Sequence, residues 1–171
     1  AAAGVEWALL KEKSSINALG AKITATHPIT FKDFDAKVMV DGGKLTGLSY
    51  TVQMGTLEAD HPKLTAHLLN EDFFDVANFP TSTFESSKIT EGSDTEGMTH
   101  TVEGTLTIHG MSKMVTFPVN VDVKPKGIKA STEFAINRQD FGVVYAGKAD
   151  DLIQDNVVMT VVLVAQDPTA G

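Results

Sequence analysis

The chain of 171 residues carries 22 acidic and 14 basic side chains, a net charge of −8, with 42% hydrophobic residues and no cysteine. Residues 1–171 therefore read as one folded domain with a sizeable core. An acidic chain without a basic run excludes nucleic acid and anionic membrane as main partners, and the absence of cysteine excludes disulfides and thiolate metal sites. No apolar run approaches the ~18 residues of a membrane-spanning helix. The longest, Val157–Ala165, is broken by Thr160 and has the length of a strand.

The first four residues, "AAAG", read as a mature end left by cleavage at small residues or as an appended remnant. Two strands are expected next, Val5–Leu10 and Ile16–Thr26. From there a period of two dominates. "FDAKVMV" sets Phe34, Ala36, Val38 and Val40 against Asp35 and Lys37, and "LSYTVQM" does the same with Leu48, Tyr50, Val52 and Met54. Such alternation predicts antiparallel strands with one buried face. The period then breaks. "HPKLTAHLLNEDFFDVANFP", His61–Pro80, predicts one short helix followed by a turn, with Asp60 as N-cap, Pro62 in the first helical position and Leu64 and Leu68 on one face.

Alternation returns in "HTVEGTLTI" (Val102, Gly104, Leu106, Ile108), "VTFPVNVDV" (Val115–Val123), "IKASTEFAI" (Ile128–Ile136) and the closing "VVMTVVLVA". Between these runs, "DGGK", "EGSDTEG", "HGMSK" and "KPKG" supply the Gly and Pro of tight turns. About eight strands joined by short connections leave a sandwich or a closed up-and-down barrel, and meander connectivity favours the barrel. An eight-stranded barrel is just wide enough to be filled by its own side chains or to hold one small ligand.

Few residues suggest chemistry. The five histidines, His27, His61, His67, His100 and His109, show neither the i,i+4 spacing of a helix site nor the i,i+2 spacing of a strand site, so no metal is expected. No G-x-S-x-G elbow is present, and "DFG" lacks every companion motif of a kinase. Asp150, Asp151 and Asp155 lack the alternation and central Gly of a calcium loop and read as a solvated turn. The cluster Phe73, Phe74, Phe79 and Phe84 reads as core.

Three blocks, "KLTAHLLNEDFFDVANFPTSTFES" (Lys63–Ser86), "HTVEGTLTIHGMSKMVTFPV" (His100–Val119) and "ASTEFAINRQDFGVVYAGKADDLIQDNVVMTVVL" (Ala130–Leu163), resemble the YceI-like family in the same order. The resemblance covers roughly Ile16 to Ala165. It implies an all-β fold, an extended eight-stranded antiparallel lipocalin-like β-barrel with one short helix. It further implies an apolar tunnel for an isoprenoid-tailed amphiphile, a polyprenyl phosphate or isoprenoid quinone, carried for transport, storage or sequestration in the periplasm or outside the cell. The expected ligand is that lipid, with no cofactor, no nucleic acid and no membrane span, and a homodimer is left open. The alternative is an enzyme acting on a small apolar substrate inside the same barrel, which would need ionisable groups on faces that read as apolar.

In such a barrel the core is the tunnel wall. The candidates are Phe34, Val38, Tyr50, Val52, Leu64, Leu68, Phe84, Leu106, Phe117, Phe134 and Ile136. Arg138, the single arginine, lies in the family's "R.DFG" block with Asp140, Phe141 and Gly142. A buried guanidinium needs a partner, so Arg138 is expected to anchor the scaffold by pairing with Asp140, Glu71, Asp72 or Asp75. The alternative is that it clamps a ligand head group through its bidentate fork.

Overall fold

A computed structural model describes residues 4–22, 25–143, 147–148 and 151–168. Its strands in chain order are β1 (Val5–Leu9), β2 (Ser15–Ala21), β3 (Thr26–Phe31), β4 (Phe34–Asp41), β5 (Lys44–Gln53), β6 (Leu57–Ala59), β7 (Thr81–Glu91), β8 (His100–Ile108), β9 (Met111–Val123), β10 (Gly127–Asn137), β11 (Gly147–Lys148), β12 (Asp151–Leu152) and β13 (Asn156–Gln166). One α-helix is found among the described residues, α1 (Pro62–Leu69), between β6 and β7.

Three wall positions are each built from two strands in succession. β1 and β2 are separated by a 3₁₀ turn at Lys11–Lys13, β3 and β4 by Lys32 and Asp33, and β5 and β6 by a second 3₁₀ turn at Met54–Thr56. β1 pairs with β4 and β2 with β3, while β4 pairs with β5 and β3 with β6. The ring continues through β7, β8, β9 and β10 to β13, which closes onto both β1 and β2. The result is a closed antiparallel barrel of eight wall positions in chain order. No helix among the described residues is long and apolar enough to cross a membrane.

The expected strand Ile16–Thr26 is corrected to β2, which ends at Ala21, and a further strand, β3, begins at Thr26; Ile23 and Thr24 lie outside the described residues. The fourth wall position in chain order is β7, a strand that period-two alternation does not reveal. Residues 1–3 of the opening "AAAG" also lie outside the described residues, as does Asp150 of the acidic turn.

The β9–β10 seam departs from full pairing. β9 and β10 are in register over four pairs only, Val123↔Ile128 to Asn120↔Ser131. Pro118 comes next. Its carbonyl accepts from the Thr132 hydroxyl at 2.6 Å, so the same residue's nitrogen faces β10 as well, and a proline has no N–H to give. Beyond that point Met111–Phe117 pairs, among the described residues, with β8 alone, and Met111 and Met114 are 44% and 59% exposed.

Candidate functional site: an apolar chamber with an aromatic floor

The inward faces divide the barrel into two unlike halves. In one, Trp7, Val38, Val40, Leu45, Val102 and Ile128 are packed together and buried. In the other, β2, β3 and the neighbouring ends of β5, β8, β10 and β13 surround a chamber of about 230 Å³, and α1 supplies Leu64, His67 and Leu68 to its wall. The remaining wall is largely hydrocarbon, including Ile16, Ile29, Phe31, Phe73, Phe141 and Met159.

α1 is held in place from both sides. Its N-cap is His61, whose Nδ1 accepts from the Lys63 N–H at 3.2 Å. This corrects the expected cap, Asp60, whose carboxylate is engaged by His27 Nδ1 at 3.0 Å across to β3. His67 Nε2 bonds Asp72 at 3.0 Å and meets the edge of Phe73, with ring centroids 4.7 Å apart. Both histidines that line the chamber are therefore tied to carboxylates. Among the described residues no group of three or more His, Asp or Glu is arranged to hold a metal.

An arc of four rings crosses the barrel at the chamber's inner end. Tyr50 stacks on Phe84 at 5.6 Å, Phe84 tilts against Phe117 at 5.2 Å, and Phe117 lies parallel to Phe134 at 4.3 Å. Gly104 seats this floor. A Cβ there would fall 2.6 Å from the Phe84 ring and 2.4 Å from the Glu85 carbonyl, so only glycine lets the ring lie against β8. Past the floor is a second cavity of about 20 Å³, and Tyr50 is the residue that lines both.

Arg138 also borders the chamber, and it is 6% exposed. Its Nη1 donates to the Val143 carbonyl at 2.7 Å, Nε to Gln154 at 3.1 Å and Nη2 to Ile153 at 3.3 Å. The acid within reach is Asp155, with Nη2 to Oδ1 at 3.6 Å. That corrects the expected partners: Asp140 is exposed, Asp72 is engaged by His67, and Asp75 accepts from Asn78. Carbonyl dipoles carry most of the compensation for the buried charge. Burial pulls the guanidinium's pKa down and Asp155 opposes that shift, and the group remains a cation. Gly142, at φ +72°, ends the 3₁₀ turn Arg138–Phe141 in the left-handed region. The "R.DFG" block is thereby accounted for as a clasp: Arg138 grips the returning chain, Phe141 is buried in the wall and Gly142 makes the turn.

A family model for the YceI-like domain matches residues 7–165. The chain belongs to the YceI-like family. Among curated relatives, a UPF0312 protein of Pseudomonas putida is 32% identical over 124 residues, covering 67% of this chain and 62% of that protein. A UPF0312 protein of Pseudomonas fluorescens is 30% identical over 134 residues, 72% of this chain and 67% of that one. The chain thus spans about 62% of the length of the first of these relatives. Among solved structures, Burkholderia cenocepacia BcnA superposes with a TM-score of 0.80 at 26% identity, covering 92% of this chain and 99% of that one. A polyisoprenoid binding domain from Saccharophagus degradans has the same fold, with a TM-score of 0.74 at 15% identity over 95% and 98% of the two chains.

Within this YceI-like barrel the wall candidates separate into three groups. Tyr50, Val52, Leu64, Leu68, Leu106 and Ile136 line the chamber, as does Arg138. Phe84, Phe117 and Phe134 make the floor and border the small cavity beyond it. Phe34 and Val38 line neither cavity; both are buried in the packed core, at 5% and 1% exposure. The wall residues passed over are chiefly Ile16, Ala18, Ile29 and Phe31. Their signal is present, since "INALG" and "HPITF" also alternate, but Ile16 and Ala18 fall in the expected strand Ile16–Thr26, while Ile29 and Phe31 lie beyond its end, where no strand is expected.

Proposed function

We propose that this chain binds an isoprenoid-tailed amphiphile in the chamber and acts as a carrier or sequestering protein, without catalysis. The observation that carries this reading is the chamber itself, a hydrocarbon-walled space kept open in a barrel whose other half is filled. Burying a methylene contributes roughly 0.8 kcal/mol, so ten carbons, two isoprene units, contribute roughly 8 kcal/mol gross. Association costs about 4 kcal/mol or more, so a single unit binds poorly and two or more bind usefully. At about 230 Å³ the chamber is smaller than the ~300–1,000 Å³ of many small-molecule sites. It takes one end of the ligand, and the rest extends out of the chamber.

The family membership and the fold shared with a domain named for polyisoprenoid binding support this reading. Periplasmic or secreted residence follows from the same family resemblance and is checked by cell fractionation. Native mass spectrometry of gently purified protein tests the central claim. A mass increment that disappears on organic extraction and returns on adding a prenyl quinone or a polyprenyl phosphate is the expected result. Protein that carries no lipid, and takes up neither compound, disproves it.

A further inference from the structure

Two permanently charged cations line the chamber, Lys22 and Arg138, and among the described residues no aspartate or glutamate does. The chain as a whole has 22 acidic and 14 basic side chains, so a wall of this sign runs against its composition. Asp60 and Asp72, the carboxylates that hold His27 and His67, are not part of the wall themselves. A cavity lined by one sign of charge, with walls of low dielectric, focuses that field on its contents.

The two cations flank one segment of chain. Lys22 forms an antiparallel bridge with Ile153, and Arg138 donates to the carbonyls of Ile153 and Gln154 at 3.3 and 3.1 Å. The Gln154 N–H donates in turn to the Ala21 carbonyl at 2.8 Å. They differ in compensation. Arg138 has its carbonyls, with Asp155 at 3.6 Å. Lys22 is half-buried and its main-chain N–H is fixed on the Ala25 carbonyl at 2.8 Å, yet among the described residues no carboxylate pairs with its ammonium. Taking a charge out of water without a counter-charge is destabilising.

We propose that the occupant carries a phosphate head and that Lys22 receives it. This rests on the isoprenoid reading of the chamber and narrows it to phosphorylated isoprenoids. Lys22 makes the contact, because its ammonium offers three rotatable donors on a flexible stem. Arg138 contributes through its field alone, since its nitrogens are committed to Val143, Ile153 and Gln154. Half-exposure of Lys22 leaves the phosphate part of its hydration, which limits the cost of bringing an anion to the wall. The adjoining isoprene units lie on the hydrocarbon of the chamber. A quinone would fill the same space and leave Lys22 without a counter-charge.

The test titrates delipidated wild-type protein and Lys22→Met with geranylgeranyl phosphate and with geranylgeraniol, which has the same tail and an uncharged head. Wild type is expected to bind the phosphate about tenfold more tightly than the alcohol, a preference that shrinks as salt is raised. Lys22→Met keeps the length of the side chain and removes its charge. It is expected to lose about tenfold in affinity for the phosphate and to stay within about twofold for the alcohol. Equal wild-type affinity for the two compounds, undiminished phosphate binding by Lys22→Met, or an equal loss for both overturns the assignment of Lys22. Failure of wild type to bind either compound overturns instead the isoprenoid reading on which it rests.

Discussion

Replacing Arg138 with lysine keeps the charge and removes the fork. The guanidinium holds three carbonyls, those of Val143, Gln154 and Ile153, at 2.7, 3.1 and 3.3 Å. An ammonium on a flexible stem can retain one of them. A hydrogen bond from a charged donor contributes about 1.5–3 kcal/mol. The two longer bonds are only partly buried, which puts each at the low end, so Arg138→Lys is expected to cost about 3 kcal/mol. For a domain of this size each kcal/mol moves the melting temperature by about 2–4 °C, giving a fall of roughly 6–12 °C. Differential scanning calorimetry measures this directly. Well below the new midpoint, the affinity for an uncharged prenyl ligand should stay close to that of wild type. The reasoning fails if the variant melts within about 2 °C of wild type and loses affinity for phosphorylated ligands alone. That pattern would make Arg138 a head-group clamp.

Asp155→Asn separates the carbonyls from the carboxylate as partners of Arg138. Because Asp155 is 55% exposed and 3.6 Å away, the substitution is expected to cost less than about 1 kcal/mol by urea titration. Gly104→Ala drives a methyl into the Phe84 ring and the Glu85 carbonyl, and a loss of about 1–3 kcal/mol is expected in the same titration. Hydrogen exchange followed by NMR should find the amides of Ser112, Met114 and Thr116, which point across the β9–β10 seam, exchanging well before those of Asn120 and Asp122, which lie in its paired stretch. Equal protection along β9 would show the seam to be closed in solution.

The fold was legible in the sequence where a face is apolar at every second residue. β4, β5, β8, β9, β10 and β13 all satisfy this. β7 does not. Its apolar residues, Phe84 and Ile89, are five apart, which places them on opposite faces of a regular strand. A bulge between Ser86 and Lys88 shifts the register and brings Ile89 opposite Val102, on the same face as Phe84 opposite Leu106. β3 was hidden by Pro28, a residue that argues against an interior strand. It is tolerated because β6 pairs only with Ile29–Phe31, leaving Pro28 with an open side. The expected number of strands matches the number of wall positions, yet the members differ. Val5–Leu9 and Ser15–Ala21 share one position, and β7 fills the place this frees.

The site was legible to the depth that alternation reaches. Period two tells which residues point inward, and all eleven wall candidates are buried or half-buried. It gives no measure of height along the barrel, so Phe34 and Val38, in the packed half, look identical on paper to Tyr50 and Val52 at the chamber. Arg138 was recognisable as an anchor because a lone buried cation needs compensation. Its actual partners are main-chain carbonyls of residues 143, 153 and 154, and every residue carries such a group, so side-chain identities cannot point to them.

The three two-part wall positions bear on how such a barrel can change. In an unbroken strand, inserting or deleting one residue turns every later side chain to the opposite face. The short turns between β1 and β2, β3 and β4, and β5 and β6 interrupt that propagation, because phase can be reset across each of them. β1 and β4 wall the packed half, whereas β2 and β3 wall the chamber half, with β6 paired to β3. Length changes at these joints can therefore alter the bore of the chamber while the ladder of the packed half keeps its register, letting one barrel be refitted to different occupants without being rebuilt.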